Sequence, residues 1–301
     1  MRRSGAALAL LLTIAASGAR AQPVDDSRSV IAFTQTDAWA MAYVTSATLM
    51  TGFGETPELA AGSTLLGGEL GHIPRLSDAE QRVGLGGIKQ EDLNKSPVAG
   101  RARLWVGLPH GWIGELGYTP PVEIDGARPR DLISAALGRR WLQREHWSLS
   151  TRVHGQIGGA SGDITCPAAV AVSSDPAVNP FGCLEPSRDH IRMRYHAAEV
   201  TAAFGPPAAS WRGYATLAAA RFEPEVQIRA EQRSVRNRSV LVSSGTRPYL
   251  ALGLSHAAAA RWQWSAELLY VPLEVHRPGA DLATEPFWSL RLMVRRGIGN
   301  H

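Results

Sequence analysis

The chain has 301 residues, 45% hydrophobic and 19% charged, with 31 basic side chains against 27 acidic ones and a formal net charge of +4. After the first 21 residues no apolar stretch approaches the roughly 20 residues that a membrane-spanning helix needs, which excludes a helical membrane protein. Most of the charge excess sits in those first residues, so the balance gives no ground for a nucleic-acid partner.

Residues 1–21 have the form of a cleaved secretory signal. Arg2 and Arg3 make a basic start, the run from Ala6 to Ala16 is apolar except for Thr13, and Ala19-Arg20-Ala21 supplies a small-x-small cleavage pattern before Gln22. Removing its three arginines leaves 28 basic residues against 27 acidic ones. The two cysteines, Cys166 and Cys183, have 16 residues between them. In an exported chain this spacing predicts one disulfide, contributing about 3 kcal/mol by the loop-entropy model. Zinc fits less well, because no second ligand pair lies at a suitable spacing, and no metal or cofactor is expected.

Residues 22–62 form a separate N-terminal segment. The first part is polar and irregular. In 39–50, Trp39, Met41, Tyr43 and Thr45 alternate with alanine and valine as a strand would, yet the alanine content also suits a helix. The segment reads as an extra strand, a periplasmic segment or a plug.

Regular period-two patterning begins at residue 63. Ten strands are predicted, at 63–73, 101–108, 112–119, 131–140, 147–158, 191–204, 211–222, 247–256, 262–272 and 287–297. The connections between them run 27, 3, 11, 6, 32, 6, 24, 5 and 14 residues, a strict alternation of long and short. Transmembrane barrels alternate in this way because their periplasmic turns are tight while the opposite loops vary freely. With the short turns on the periplasmic side, ten strands begin and end there. Counting 39–50 as a strand requires a second unseen one, making twelve.

Two stretches share the pattern Trp-x-x-Glu-Leu-x-Tyr-x-Pro, one from Trp112 to Pro120 and one from Trp264 to Pro272. Read as strands, both send Trp, Leu and Tyr to one face and Glu to the other. Trp112, Trp147, Trp211 and Trp262 lie beside short turns, whereas Tyr118, Tyr270 and Trp288 lie beside long loops. These are expected to form two aromatic girdles at the membrane interfaces. In 147–158 the outward set is Trp147, Leu149, Thr151, Val153 and Ile157, and Ser148, Ser150, Arg152, His154 and Gln156 point inward. In 287–297 Trp288, Leu290, Leu292 and Val294 oppose Ser289, Arg291 and Arg295. An arginine at the lipid-facing midplane costs about 2–4 kcal/mol, so the arginines mark the inner face. Trp105 stands mid-strand, outside the girdle pattern.

On this architecture, over roughly 63–297, the chain resembles the bacterial outer-membrane β-barrel proteins as a broad class. The resemblance implies an antiparallel up-and-down transmembrane barrel over 63–301, located in the outer membrane. It implies partners in outer-membrane lipid and the barrel-assembly machinery. The chain departs from the class in running past Val294 to His301 instead of finishing on an aromatic residue.

The expected lumen-facing groups are Arg101, Arg103, Glu115, Arg152, His154, Arg194, Glu267, Arg291 and Arg295, with Arg192 and His196 on the same assignment. Glu115 and Glu267 are the expected acid partners of the arginines. They either fill a narrow barrel with ion pairs or line a pore favouring small anionic solutes. The functional expectation is therefore a narrow channel or a structural, loop-presenting barrel. A lipid-modifying hydrolase or acyltransferase is an alternative resting on interior His and Ser, and no catalytic residue is assigned to it. Ser150 and His154 share a face but stand roughly 13 Å apart along the strand, too far to be partners. A soluble secreted β-sandwich binding module is the other alternative.

Overall fold

The computed structural model describes residues 22–259 and 262–298. The expected signal peptide lies outside the described residues. Ten antiparallel strands make the wall: β1 (Thr64–His72), β2 (Val98–Gly107), β3 (Trp112–Thr119), β4 (Arg128–Gln143) and β5 (Trp147–Gly162), then β6 (Tyr195–Phe204), β7 (Trp211–Phe222), β8 (Gly245–Ala259), β9 (Trp262–Val271) and β10 (Phe287–Ile298). Each pairs with its sequence neighbour, β5 with β6 across the longest connection, and β10 pairs back to β1 to close the cylinder. Closure removes every free edge, which a sheet in lipid requires.

The alternation of side chains sorts the two faces. Leu116, Ile133, Val153, Val200, Leu217, Leu252, Leu268 and Leu290 project from the outer surface and are exposed. In water such a continuous apolar belt would be an aggregation surface; against acyl chains it is the solvated face. Tyr118, Trp147, Trp211, Trp262, Tyr270 and Trp288 all lie on this outer surface, and Trp112 is half-buried against Trp141. The fold is a closed barrel of the outer-membrane type, with no β-sandwich among the described residues.

The structure removes the ambiguity of 39–50. Thr36–Ser46 is an α-helix, α1, and almost all of it is buried. The wall therefore has ten strands and the twelve-strand option is corrected. The helix has no polar face because barrel wall or loop surrounds it on every side. Alanines at 38, 40 and 42 keep it slim, while Trp39 and Tyr43 pack together and Tyr43 meets Phe287 edge-on at 5.0 Å. Thr45 and Ser46 return their hydroxyls to the carbonyls of Met41 and Ala42, at 2.7 and 2.8 Å.

Above the wall the long loops build a cap. Asp189–Arg192 extends the sheet beyond β5, followed by Glu225–Gln227 and Val240–Val242. Arg28–Val30 completes this extension in parallel with Val240–Val242. Cys166 and Cys183 form the expected disulfide inside the cap, with Cα atoms 5.8 Å apart. Residues 24–30 thus lie in the cap, and the chain descends from there through the lumen as residues 36–59 and joins the wall at the end bearing the short turns.

Candidate functional site

A stretch of backbone inside a barrel has to satisfy its polar groups or lose several kcal/mol for each. α1 bonds its own amides and carbonyls, but the chain after it turns with no regular partner for its carbonyls. Four consecutive carbonyl oxygens there each accept from a different arginine of the wall. Thr48 accepts from Arg101, Leu49 from Arg291 at 2.6 Å, Met50 from Arg152 at 2.7 Å and Thr51 from Arg103 at 2.9 Å. The amide of Met50 donates to the hydroxyl of Tyr195 at 2.7 Å.

Carboxylates on the intervening strands hold the guanidinium groups in place. Glu69 lies 2.9 Å from Arg101 and 2.6 Å from Arg103. Glu115 joins Arg103 to Arg152, the latter at 3.0 Å. Glu199 takes Arg152 at 3.0 Å and the hydroxyl of Tyr249 at 2.9 Å. Glu267 accepts from the hydroxyl of Thr51 at 2.6 Å and lies 3.8 Å from Arg291. Tyr214 and Ser134 bring in β7 and β4, so all ten strands contribute to one belt. Charge is balanced locally, which lets so many ions sit out of water.

The belt lies between two apolar layers. Above it α1 packs with Tyr195, Phe222, Leu269 and Phe287. Below it Phe53 packs with Trp105, Ile113 and Met293, and Arg103 stacks over both Phe53 and Trp105 at 5.6 and 5.0 Å. This gives Trp105 its place: it faces inward, as part of the seal.

Arg101, Arg103, Glu115, Arg152, His154, Glu267, Arg291 and Arg295 all point into the lumen and are buried. Arg295 stands apart from the belt and meets Gln263 at 2.7 Å. Arg194 does not belong with them. It is on the outer surface, two-thirds exposed and 3.2 Å from Glu223; Arg192 and His196 face outward as well. At that height the interior is apolar, because Met193 and Ile191 pack against Ala38 and Met41 of α1. The exterior there has passed the lipid belt, so the usual rule of charge inward is reversed. Glu69 and Glu199 were not among the expected residues. Both lie on the inner face; taking Arg192, Arg194 and His196 as inward puts Glu199 on the opposite face, and the structure turns that face inward.

His154 Nε2 lies 2.8 Å from the Tyr249 hydroxyl and 3.5 Å from Glu199, with no serine hydrogen-bonded to it among the described residues. It is part of the belt's packing. Glu91 and Asp92 are each tied to a lysine, Lys89 at 2.6 Å and Lys95 at 2.6 Å.

No protein-family model matches the chain, and no curated protein matches it in sequence. Among solved structures it is similar to Neisserial surface protein A, at 9% identity over 77% of this chain and 96% of that one, with a TM-score of 0.30. The N-terminal barrel domain of Pseudomonas aeruginosa OprF gives 12% identity over 57% and 92%, with a TM-score of 0.28. A mutant of the TodX monoaromatic hydrocarbon channel gives 10% over 81% and 91%, with a TM-score of 0.34. At these values the likenesses carry no argument about function, and the barrel rests on its own strand pairing.

Proposed function

We propose that the protein is an outer-membrane barrel whose lumen is closed and whose role is to present the disulfide-tied cap at the cell surface. The observation that carries this reading is the clamp of four arginines on the carbonyls of residues 48–51, with an apolar seal on either side. Nothing hydrated passes a cross-section filled by backbone, ion pairs and aromatic rings. Outer-membrane lipid and the barrel-assembly machinery are the partners this reading implies. Planar-bilayer recording tests it. The intact protein should show no steady conductance, and a variant with residues 36–59 replaced by a short Gly-Ser link should conduct. A steady open level from the intact protein would overturn it.

One observation favours a second reading, a channel that opens when the clamp segment is displaced. Beneath Phe53, at the end with the short turns, lies a vestibule of about 370 Å³ lined in part by Glu55, Arg140, Arg212, Gln263 and Arg295. Its three arginines against two glutamates, Glu55 and Glu58, leave a small positive excess that suits small anions. Voltage-dependent opening of the intact protein, with anion selectivity, would favour this reading.

A further inference from the structure

The outer surface carries a second concentration of arginine, unrelated to the clamp. β4 and β5 lose their regular register between Arg130 and Ile133, where Asp131 has φ +48° and Gly158 has φ +104°. A Cβ at Gly158 would lie 2.0 Å from the carbonyl oxygen of Asp131, so only glycine fits there. Bulges of this kind re-aim strand ends at barrel rims.

Above the bulge, Arg130, Gly159 and Arg192 stand side by side on three strands, and Arg128, Ser161 and His190 form the next row. Gly159 and Gly158 put no side chain between the arginines. The result is a groove of about 800 Å³ floored by backbone, with Arg128, Arg130, Arg192 and Arg194 around it. Tyr118 and Ile157 line its lower edge. Arg192 has Glu225 at 3.4 Å and Arg194 has Glu223 at 3.2 Å, but both remain more than half exposed. Arg128 and Arg130 have no carboxylate within 4.0 Å among the described residues. Asp131 is the one acid in the lining.

Height decides what such a groove meets. Ile157 is the last apolar outward residue of β5, and the first arginine row is two residues further on, about 7 Å. That is the step from acyl chains to headgroups. Arg130 and Arg192 flank Gly159 from adjacent strands, roughly 10 Å apart across the sheet. Like charges held so close repel unless an anion lies between them. Guanidinium forks bind phosphate oxygens in pairs.

We propose that this groove binds the phosphate group of an outer-leaflet lipid, with Arg130 and Arg192 on either side of it, Arg128 and Arg194 at the ends, and the acyl chains running down past Tyr118 and Ile157. The proposal rests on the outer-membrane reading. Fractionation of cells tests that reading separately, since binding in micelles does not depend on where the barrel sits in the cell.

Native mass spectrometry of the detergent-solubilised chain, titrated with lipid A, measures the site. The intact protein should hold one lipid with a Kd at least tenfold tighter than that of the Arg130→Gln/Arg192→Gln variant. Dephosphorylated lipid A should bind the intact protein no better than the bisphosphorylated lipid binds that variant. Arg130→Lys keeps the charge but loses the fork, and should weaken binding by less than the double variant does. It also keeps the test open should the double variant not fold. Arg139→Gln, altering an arginine stacked on Trp112 and Trp141 near the opposite rim, should leave binding unchanged. Equal affinity in the double variant would overturn the proposal. So would inorganic phosphate binding as tightly as the lipid, which would mark a free-anion site.

Discussion

Arg291, on the last strand of the wall, donates to the carbonyl oxygen of Leu49 at 2.6 Å across a sequence separation of 242 residues. The clamp is therefore completed only when β10 pairs with β1 and closes the cylinder. The seal and the closed wall thus depend on the same strand.

Replacing Arg291 with methionine keeps the length of the side chain and removes its charge. Leu49 loses the closer of its two donors, and Glu267 and Glu69 lose a neighbouring cation. Breaking a buried pair on one side costs about 3–5 kcal/mol. The temperature at which the folded gel band converts to the unfolded one should fall markedly, and bilayer recordings should show brief openings absent from the intact protein.

Gly117 marks where the wall makes room for the inner segment. A Cβ there would lie 2.6 Å from Arg101 Cδ and 3.0 Å from Met50 Sδ. Gly117→Val should destabilise the barrel by about 1–3 kcal/mol, the usual cost of overpacking. Gly68, where a Cβ would find only the Arg101 carbonyl at 3.8 Å, is the matched control, and Gly68→Val should be tolerated. Denaturant unfolding of the two variants in the same micelles compares them.

The N-terminal residues pair with the cap, Val24–Asp25 against Arg236–Asn237 and Arg28–Val30 against Val240–Val242. With the short turns in the periplasm, residues 24–30 lie on the outer side of the membrane even though the first wall strand starts from within. An epitope inserted after Gln22 should be labelled by antibody on intact cells, whereas one inserted in the 205–210 turn should be labelled only after permeabilisation. The reverse pattern would invert the topology.

In the loop after β1, Lys89 and Glu91 are both buried, 2.6 Å apart. Burial pushes the Glu91 carboxyl up to about 8, against the pull of Lys89. In the unfolded chain the same carboxyl ionises near 4.5. Between those values the unfolded chain has lost a proton that the folded loop keeps. The loop's stability is therefore full below the lower value and declines as pH rises through the window, levelling off above the upper one. Proteolytic nicking of 73–97 should become faster from pH 6 to pH 9 in the intact protein relative to Glu91→Gln, which has no carboxyl to ionise.

The amino-acid sequence by itself determined the class of fold, the ten wall strands, the sorting of turns from loops, the outward placement of the strand-end aromatics and the disulfide. Each depends on information local to a strand or a turn: a side-chain period of two, a run length, a cysteine spacing. Glu115 and Glu267 also came out of that reading, because the repeated Trp-x-x-Glu-Leu-x-Tyr pattern opposes each acid to its aromatics. Only the tertiary structure decided that 36–46 is a helix inside the barrel. Its alternating large side chains on an alanine background fit either period, and burial on every side erases the amphipathic face that separates the two. The same enclosure turned Arg194 outward, since filling the upper lumen with α1 made the inner face apolar just where the outer one leaves lipid. The pairing of arginines with the carbonyls of 48–51 joins positions more than fifty residues apart. No local pattern records it, because it follows from closing the wall around a segment that lies far from those arginines in sequence.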